Sequence, residues 1–217
     1  MPAVGRLGVG AFDDAAEVHP AGREAWREWL EANHATAPGV WLVSWRPSSG
    51  RMDLDYEAAV EEALCFGWVD SRGGKVDEQR TKLYFAPRNP RSGWARPNKE
   101  RVERLVAAGL MAPAGISAVE RAKANGAWTI LDAAARLELP EELQVALDAR
   151  PPARARWEAF PPSARRALLE WIALARRDET RQKRIQETAI AAQRNERAND
   201  RRPEAVVDRR SLTSRRR

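Results

Sequence analysis

The chain has 217 residues, is 43% hydrophobic and 31% charged, and carries a formal net charge of +6. That length gives one ordinary domain or two small ones, and the apolar fraction excludes wholesale disorder. Its apolar runs are shorter than the roughly 20 residues a bilayer crossing needs. A single cysteine, Cys65, excludes an internal disulfide framework, and with His19 and His34 it falls short of a Cys/His zinc set.

The charge is unevenly placed. Residues 1–98 hold 12 basic and 14 acidic groups, residues 99–150 hold 7 and 8, and residues 151–217 hold 18 and 9. The whole excess sits in the last third. Such a segment attracts nucleic acid, anionic lipid or an acidic protein, or it is an Arg-rich solvated helix face. At the N-terminus Asp13, Asp14 and Glu17 replace the apolar stretch of a secretory signal. A cytoplasmic location is therefore expected, in keeping with the lone cysteine.

Residues 1–18 are rich in Gly and Ala and are expected to form a flexible extension. Trp26, Trp29, Leu30 and Asn33 recur at helical spacing and predict a helix over about 22–33. Val40–Trp45 reads as a buried strand. Asp55 is placed to cap a helix over about 56–66, whose apolar face holds Tyr56, Ala59, Val60, Ala63 and Leu64 and which Gly67 closes. Trp68-Val69-Asp70 begins a second strand, Arg72–Lys75 reads as a loop, and Lys82–Ala86 is a third strand. Residues 87–98 hold three prolines and a glycine and predict a stiff, irregular loop.

Beyond that loop Asn98 is read as the cap of a helix over about 99–108, with Val102, Leu105 and Val106 inward. Pro113 opens the next helix and Gly126 closes it, and residues 127–139 are ambiguous. From Pro140 onward the pattern is helical. Ser163 is read as capping a helix that buries Leu168, Trp171 and Ile172, and Asp178 as capping one that buries Ile185, Ala189 and Ala192. Residues 198–217 are expected to be a disordered basic tail.

Dinucleotide, phosphate-loop, HExxH and GxSxG motifs are all missing. Cys65 lies on an apolar helix face beside Leu64 and reads as a structural thiol. The positive signal is residues 68–101. Strand alternation sends Lys82 and Tyr84 to one face, and Leu83 and Phe85 to the other. Asp70, Arg72, Arg80, Tyr84, Arg88, Ser92, Trp94, Asn98 and Arg101 are the candidate ligand-binding residues. Guanidinium groups, a hydroxyl, helix-start amides and an aromatic wall suit a planar or phosphorylated anion, and single-stranded nucleic acid as well. Against that stands a purely architectural reading: Arg88 and Asp70 form an ion pair, Trp94 fills the core and Asn98 is only a cap. No catalytic residue, metal ligand or cofactor is assigned.

Several blocks resemble one bacterial family. HATAPGVWLVSW (34–45), YEAAVEEALCFGWVDS (56–71), KLYFAPRNPRSGW (82–94), NKERVERLVAAGLMAPAG (98–115), NGAWTILDA (125–133) and FPPSARRALLEWIALARRDETRQKRI (160–185) are similar to the YdeI/OmpD-associated, or bacteriocin-protection, family. The resemblance runs over about residues 20–195. The family's recurrent loop reads Pro-Arg-x-x-x-Ser-x-Trp-Ser-x-x-Asn. Pro87, Arg88, Ser92, Trp94 and Asn98 match it, and Ala95 replaces the second serine. The resemblance implies links to antimicrobial resistance and no catalytic residues.

The sequence thus predicts an α+β fold with a small, three-stranded, mostly antiparallel sheet, followed by an all-helical C-terminal region. The expected domains are a 19–135 α+β domain, a 136–197 helical region and the two flanking extensions. The expected function is non-enzymatic stress or antimicrobial protection through an anionic ligand or protein partner. Two alternatives remain: a nucleic-acid binder using residues 151–217, and, less favoured, an enzyme with Asp70 and Arg88 or Tyr84 as an acid/base pair.

Overall fold

The computed structural model describes Phe12 and residues 14–199. The expected basic tail, from residue 200 on, and most of the expected N-terminal extension lie outside the described residues. The chain divides into two compact units between Asp132 and Ala133.

The first unit is built on a mixed sheet of four strands in the order β1-β2-β4-β3. These are β1 (Glu17–Val18), β2 (Val40–Trp45), β3 (Trp68–Lys75) and β4 (Arg80–Pro87). The expected three-stranded sheet is corrected by β1, which pairs parallel to β2 through Glu17–Trp41 and Val18–Leu42. Two residues are too few to show the alternation that marks a strand. The expected Arg72–Lys75 loop is also strand. Its Arg, Gly and Lys residues read as a loop because an edge strand tolerates polar side chains. The hairpin turns instead at Asp77, whose Oδ1 accepts from the amides of Gln79 at 2.9 Å and Arg80 at 2.7 Å.

Helices α1 (Arg23–Asn33) and α2 (Tyr56–Cys65) cover one face of this sheet. The periodicity of α1 delivers Trp26 and Leu30 into the core with no exposed surface. Trp26 Nε1 donates to the Ala59 carbonyl of α2 at 3.1 Å, and its ring lies 5.5 Å from Phe85 of β4. The α2 cap is as the sequence predicts: Asp55 Oδ1 accepts from the Ala58 amide at 2.7 Å. At its other end Gly67 takes φ +73°, where a side chain would be strained.

Two further helices, α3 (Arg96–Ala107) and α4 (Pro113–Ala124), complete the unit. Asn98 does not cap α3. Pro97 suits the first turn, so the helix starts earlier and Ala95 takes the cap position. Val102 and Leu105 are buried, whereas Val106 is 57% exposed. Gly115 lets α4 approach the end of α2: a Cβ there would meet the Cys65 carbonyl oxygen at 2.2 Å.

The second unit contains α5 (Asp132–Ala135, which straddles the boundary), α6 (Glu141–Asp148), α7 (Ala153–Ala159), α8 (Pro162–Ala173) and α9 (Asp178–Gln193). Leu143, Leu147, Trp157, Leu168, Ile172 and Ile185 form its core. Pro162 again moves a helix start forward, so Ser163 lies inside α8 and does not cap it. Arg177 holds the cap position of α9, and Asp178 stands in its first turn. A groove of about 440 Å3 runs between α6 and α9, lined by Glu141, Val145, Ala149 and Gln186 among others. Among the described residues no helix is long and apolar enough to cross a membrane.

Next to Cys65, Glu62 is buried and answered by two arginines of α1. It accepts from Arg23 Nε at 2.6 Å and from Arg27 Nη1 at 2.8 Å. Burial, with Glu62 nearby, pushes the Cys65 thiol up to about 11. Protonation of the native thiol thus stabilises the fold fully below the unfolded value of about 8.5, and that contribution is lost as pH rises through about 11. Urea unfolding of Cys65→Ala should therefore show a flatter fall of stability above about pH 8.5 than the native chain. Glu62→Ala should cost about 1–3 kcal/mol at neutral pH, because it strips both guanidinium groups of their buried acceptor.

Candidate functional site

The candidate residues emerge from two neighbouring pieces of backbone: the β4 exit with its following loop, and the start of α3. Where β4 ends, the Arg88 amide donates to the Gly67 carbonyl at 3.0 Å. The next residues fold into a tight turn. The Asn89 carbonyl accepts from the Ser92 amide at 3.0 Å and from Ser92 Oγ at 3.1 Å, and Asn89 Oδ1 accepts from the Arg91 amide at 2.9 Å. The turn is pinned from outside by Asn125 Nδ2, which donates to the Pro90 carbonyl at 2.9 Å, and by the Trp94 amide, which donates to Ala127 at 3.1 Å. Ser92 is thus engaged in shaping the loop.

Trp94 is a core residue, 1% exposed, with its ring 5.0 Å from Trp128. The Arg88 guanidinium lies over it, 4.0 Å from the ring centre, a cation–π arrangement. Arg88 Nη2 donates to the Gly93 carbonyl, whereas Arg88 Nε is buried with no partner. Burial lowers the Arg88 pKa to about 10, opposed by the nearby Asp70 carboxylate. Two other buried side-chain donors among the described residues are unpartnered, Trp157 Nε1 and Arg165 Nε, both in the second unit.

Beside Arg88 runs a polar ladder linking α2, β3 and α3. Tyr56 Oη donates to Asp70 Oδ2 at 3.2 Å. Arg101 grips Glu57 with two hydrogen bonds, Nε to Oε1 at 2.8 Å and Nη2 to Oε2 at 2.6 Å, and donates Nη1 to Asn98 Oδ1 at 2.8 Å. The Arg101 hydrogen bond holds the Glu57 carboxyl below its ordinary range. Burial first, and then the negative charge of Asp70, push the Tyr56 phenol up. Arg88 and Asp70 influence each other electrostatically without forming an ion pair within 4.0 Å, so the architectural reading of that pair does not hold as stated. The architectural reading of Trp94 does.

The structure therefore brings together Asp70, Arg88, Trp94, Asn98 and Arg101. It separates Arg72, Arg80 and Tyr84 from them. Between Asp70 and Gly73 β3 carries one residue more than β4, since Asp70 pairs with Phe85 and Gly73 with Leu83. This bulge flips the side-chain order, leaving Asp70 on the helix side and sending Arg72 to the other face, where it lies 5.6 Å from the Phe12 ring. Tyr84 is buried on that same far face against Trp41, and Arg80 stands at the hairpin end, bound to Asp77 by a 2.8 Å hydrogen bond. Sequence reasoning missed Tyr56 and Glu57 as site residues. Glu57 carries a weak signal, an acid in the first turn of a helix, but its partner Arg101 is 44 residues away.

Two family models match, one in each compact unit. Residues 18–118 match a domain of unknown function (DUF8412). Residues 136–195 match the family described as bacteriocin-protection, YdeI or OmpD-associated. The resemblance to that family therefore stands over the helices of the second unit, while the blocks between residues 34 and 115 fall within the other match. No curated protein and no solved structure matches the chain.

The Glu57–Arg101 clamp joins α2 to α3 at the surface, with Glu57 half exposed. A double-mutant cycle with Glu57→Gln and Arg101→Met should give a coupling of about 0.5–1 kcal/mol, shrinking as salt is added. A coupling of zero at low salt would show that the clamp contributes nothing to holding the two helices together.

Proposed function

We propose that the protein is a non-enzymatic stress or antimicrobial (bacteriocin) protection protein that works by binding. In this reading Arg88 is the cation that receives an anionic group from a ligand or protein partner. The match of residues 136–195 to the bacteriocin-protection family supports the protective role. The observation that carries the binding role is the Arg88 guanidinium: half-buried, 4.0 Å from the Trp94 ring centre, and left with a buried, unpartnered Nε. A buried charge without its full set of hydrogen bonds destabilises a fold, and folds keep such defects mainly where a ligand repairs them.

The neighbours narrow the chemistry. Arg88 and Arg101 are balanced by Asp70 and Glu57, so the cluster is neutral as it stands. A dense polyanion would meet both carboxylates. A single carboxylate or phosphate, carrying a hydroxyl or amine to face Asp70, fits better. Asn98 adds an amide at the same edge, and Trp94 supplies the rigid floor.

The test compares the native chain with Arg88→Met, which keeps the side chain's bulk and removes its charge. Melting temperatures are measured against small carboxylates, phosphorylated metabolites and nucleotides. A ligand that binds the native state raises its melting temperature, and that rise should vanish in Arg88→Met. The variant alone should melt within about 4 °C of the native chain or above it. A fall of about 8 °C or more, with ligand shifts intact, would make Arg88 a structural cation and sink the reading.

A further inference from the structure

In the second unit α6 and α9 run side by side in the same direction. Near their starts Arg181 Nη1 and Nη2 donate to the Glu142 carboxylate at 2.7 and 3.3 Å, and near their ends Gln193 Nε2 donates to the Pro151 carbonyl at 3.3 Å. The groove of about 440 Å3 between them has Val145, Ala146 and Ala149 on one side, and Gln182 and Gln186 on the other. The two alanines leave room for another backbone to come close. Val145 is 63% exposed, and Ile190, one turn beyond Gln186, is 39% exposed. The leucines of α6 already fill the core beneath, so the fold itself makes no use of Val145.

The charges at this groove are of two kinds. Glu142 is answered within the chain by Arg181, and Asp148 beside the groove by Arg154. Glu141 and Arg150 also line the groove, and neither forms an ion pair among the described residues. Glu141 stands four residues before Val145 and Arg150 five after it. Opposite charges thus flank an apolar centre at nearly equal distances, about 6 and 8 Å along the helix axis. A partner of one charge sign would satisfy one end of the groove and be repelled at the other. A second copy of the same surface, turned by half a turn about an axis through Val145, sets each Glu141 against the other copy's Arg150 and brings the two valines together.

We propose that this groove is a contact surface between two copies of the chain, related by a two-fold axis at Val145. The α6 helix of each copy runs antiparallel to that of the other and lies against its groove. The surface is short, because α6 spans only about 12 Å, so the dimer is weak and forms as concentration rises. It belongs to the second unit and does not rest on the role given to Arg88.

The test is sedimentation equilibrium of the full chain from about 1 μM to 1 mM at about 0.15 M salt. The native chain should pass from monomer to dimer within that range. Val145→Glu sets two carboxylates at the axis and should raise the dissociation constant about tenfold or more. Its site is mostly exposed, so folding is left intact. Glu141→Lys and Arg150→Glu should each weaken the dimer about fivefold, since each makes like charges face one another. The two changes together restore opposite charges across the axis, and should return the dissociation constant to within about twofold of the native value. A native chain that stays monomeric throughout would overturn the proposal and leave the groove to a partner of different sequence. A dimer that Val145→Glu leaves unchanged would overturn it too, by placing the contact elsewhere on the chain. Failure of the double variant to recover would overturn the antiparallel pairing.

Discussion

Between Asp70 and Gly73, β3 holds one residue more than the strand beside it, and a pleated strand that gains a residue turns all later side chains over. Asp70 stays with Tyr56 on the helix side, and Arg72 crosses to the aromatic face. Without the bulge, two residues of separation would set the acid and the base side by side. With it, a chain stretch dense in charge and aromatics is divided into two surfaces of different chemistry. One is a neutral, partly buried cluster around Arg88, and the other is the aromatic sheet face of Trp41 and Tyr84, edged by ion pairs such as Lys82–Glu17 and Arg80–Asp77.

Arg88 depends on the loop that follows it. The backbone bonds at Gly67, Asn89 and Ala127 fix the loop, and the loop fixes Trp94 as a floor. The guanidinium gains its cation–π contact and one carbonyl, and surrenders the hydration of Nε. Arginine tolerates this better than lysine, because its delocalised charge is weakly hydrated and stays protonated even when burial lowers its pKa to about 10. The result is a charged group presented at neutral pH in a place where water cannot answer it fully.

Much of the scaffold was legible because its signals are local. The Asp55 cap and the positive-φ glycines at 67 and 126 follow from backbone rules that hold within a turn. The Trp26 and Leu30 spacing and the Leu83/Phe85 alternation follow from element periodicity. Three caps were misplaced: Asn98 and Ser163, because Pro97 and Pro162 each start a helix earlier than the polar residue after them would, and Asp178, which stands one residue inside α9. The fourth strand escaped notice because Glu17–Val18 gains its state only from pairing with β2. The site was half legible. Residue types in 70–101 marked the region, but which of them meet depends on the bulge. The Tyr56–Asp70 and Glu57–Arg101 contacts are decided by packing between distant segments.

The most direct test of Arg88 as a binding cation is its own Nε–H resonance in a nitrogen-15 NMR spectrum, assigned by its loss in Arg88→Lys. A buried, unpartnered Nε–H should exchange slowly with solvent, and should move in a saturable way as a small carboxylate or phosphate is titrated in. A resonance that exchanges as fast as those of exposed arginines, or that drifts with them in proportion to ionic strength, would contradict a ligand site at Arg88.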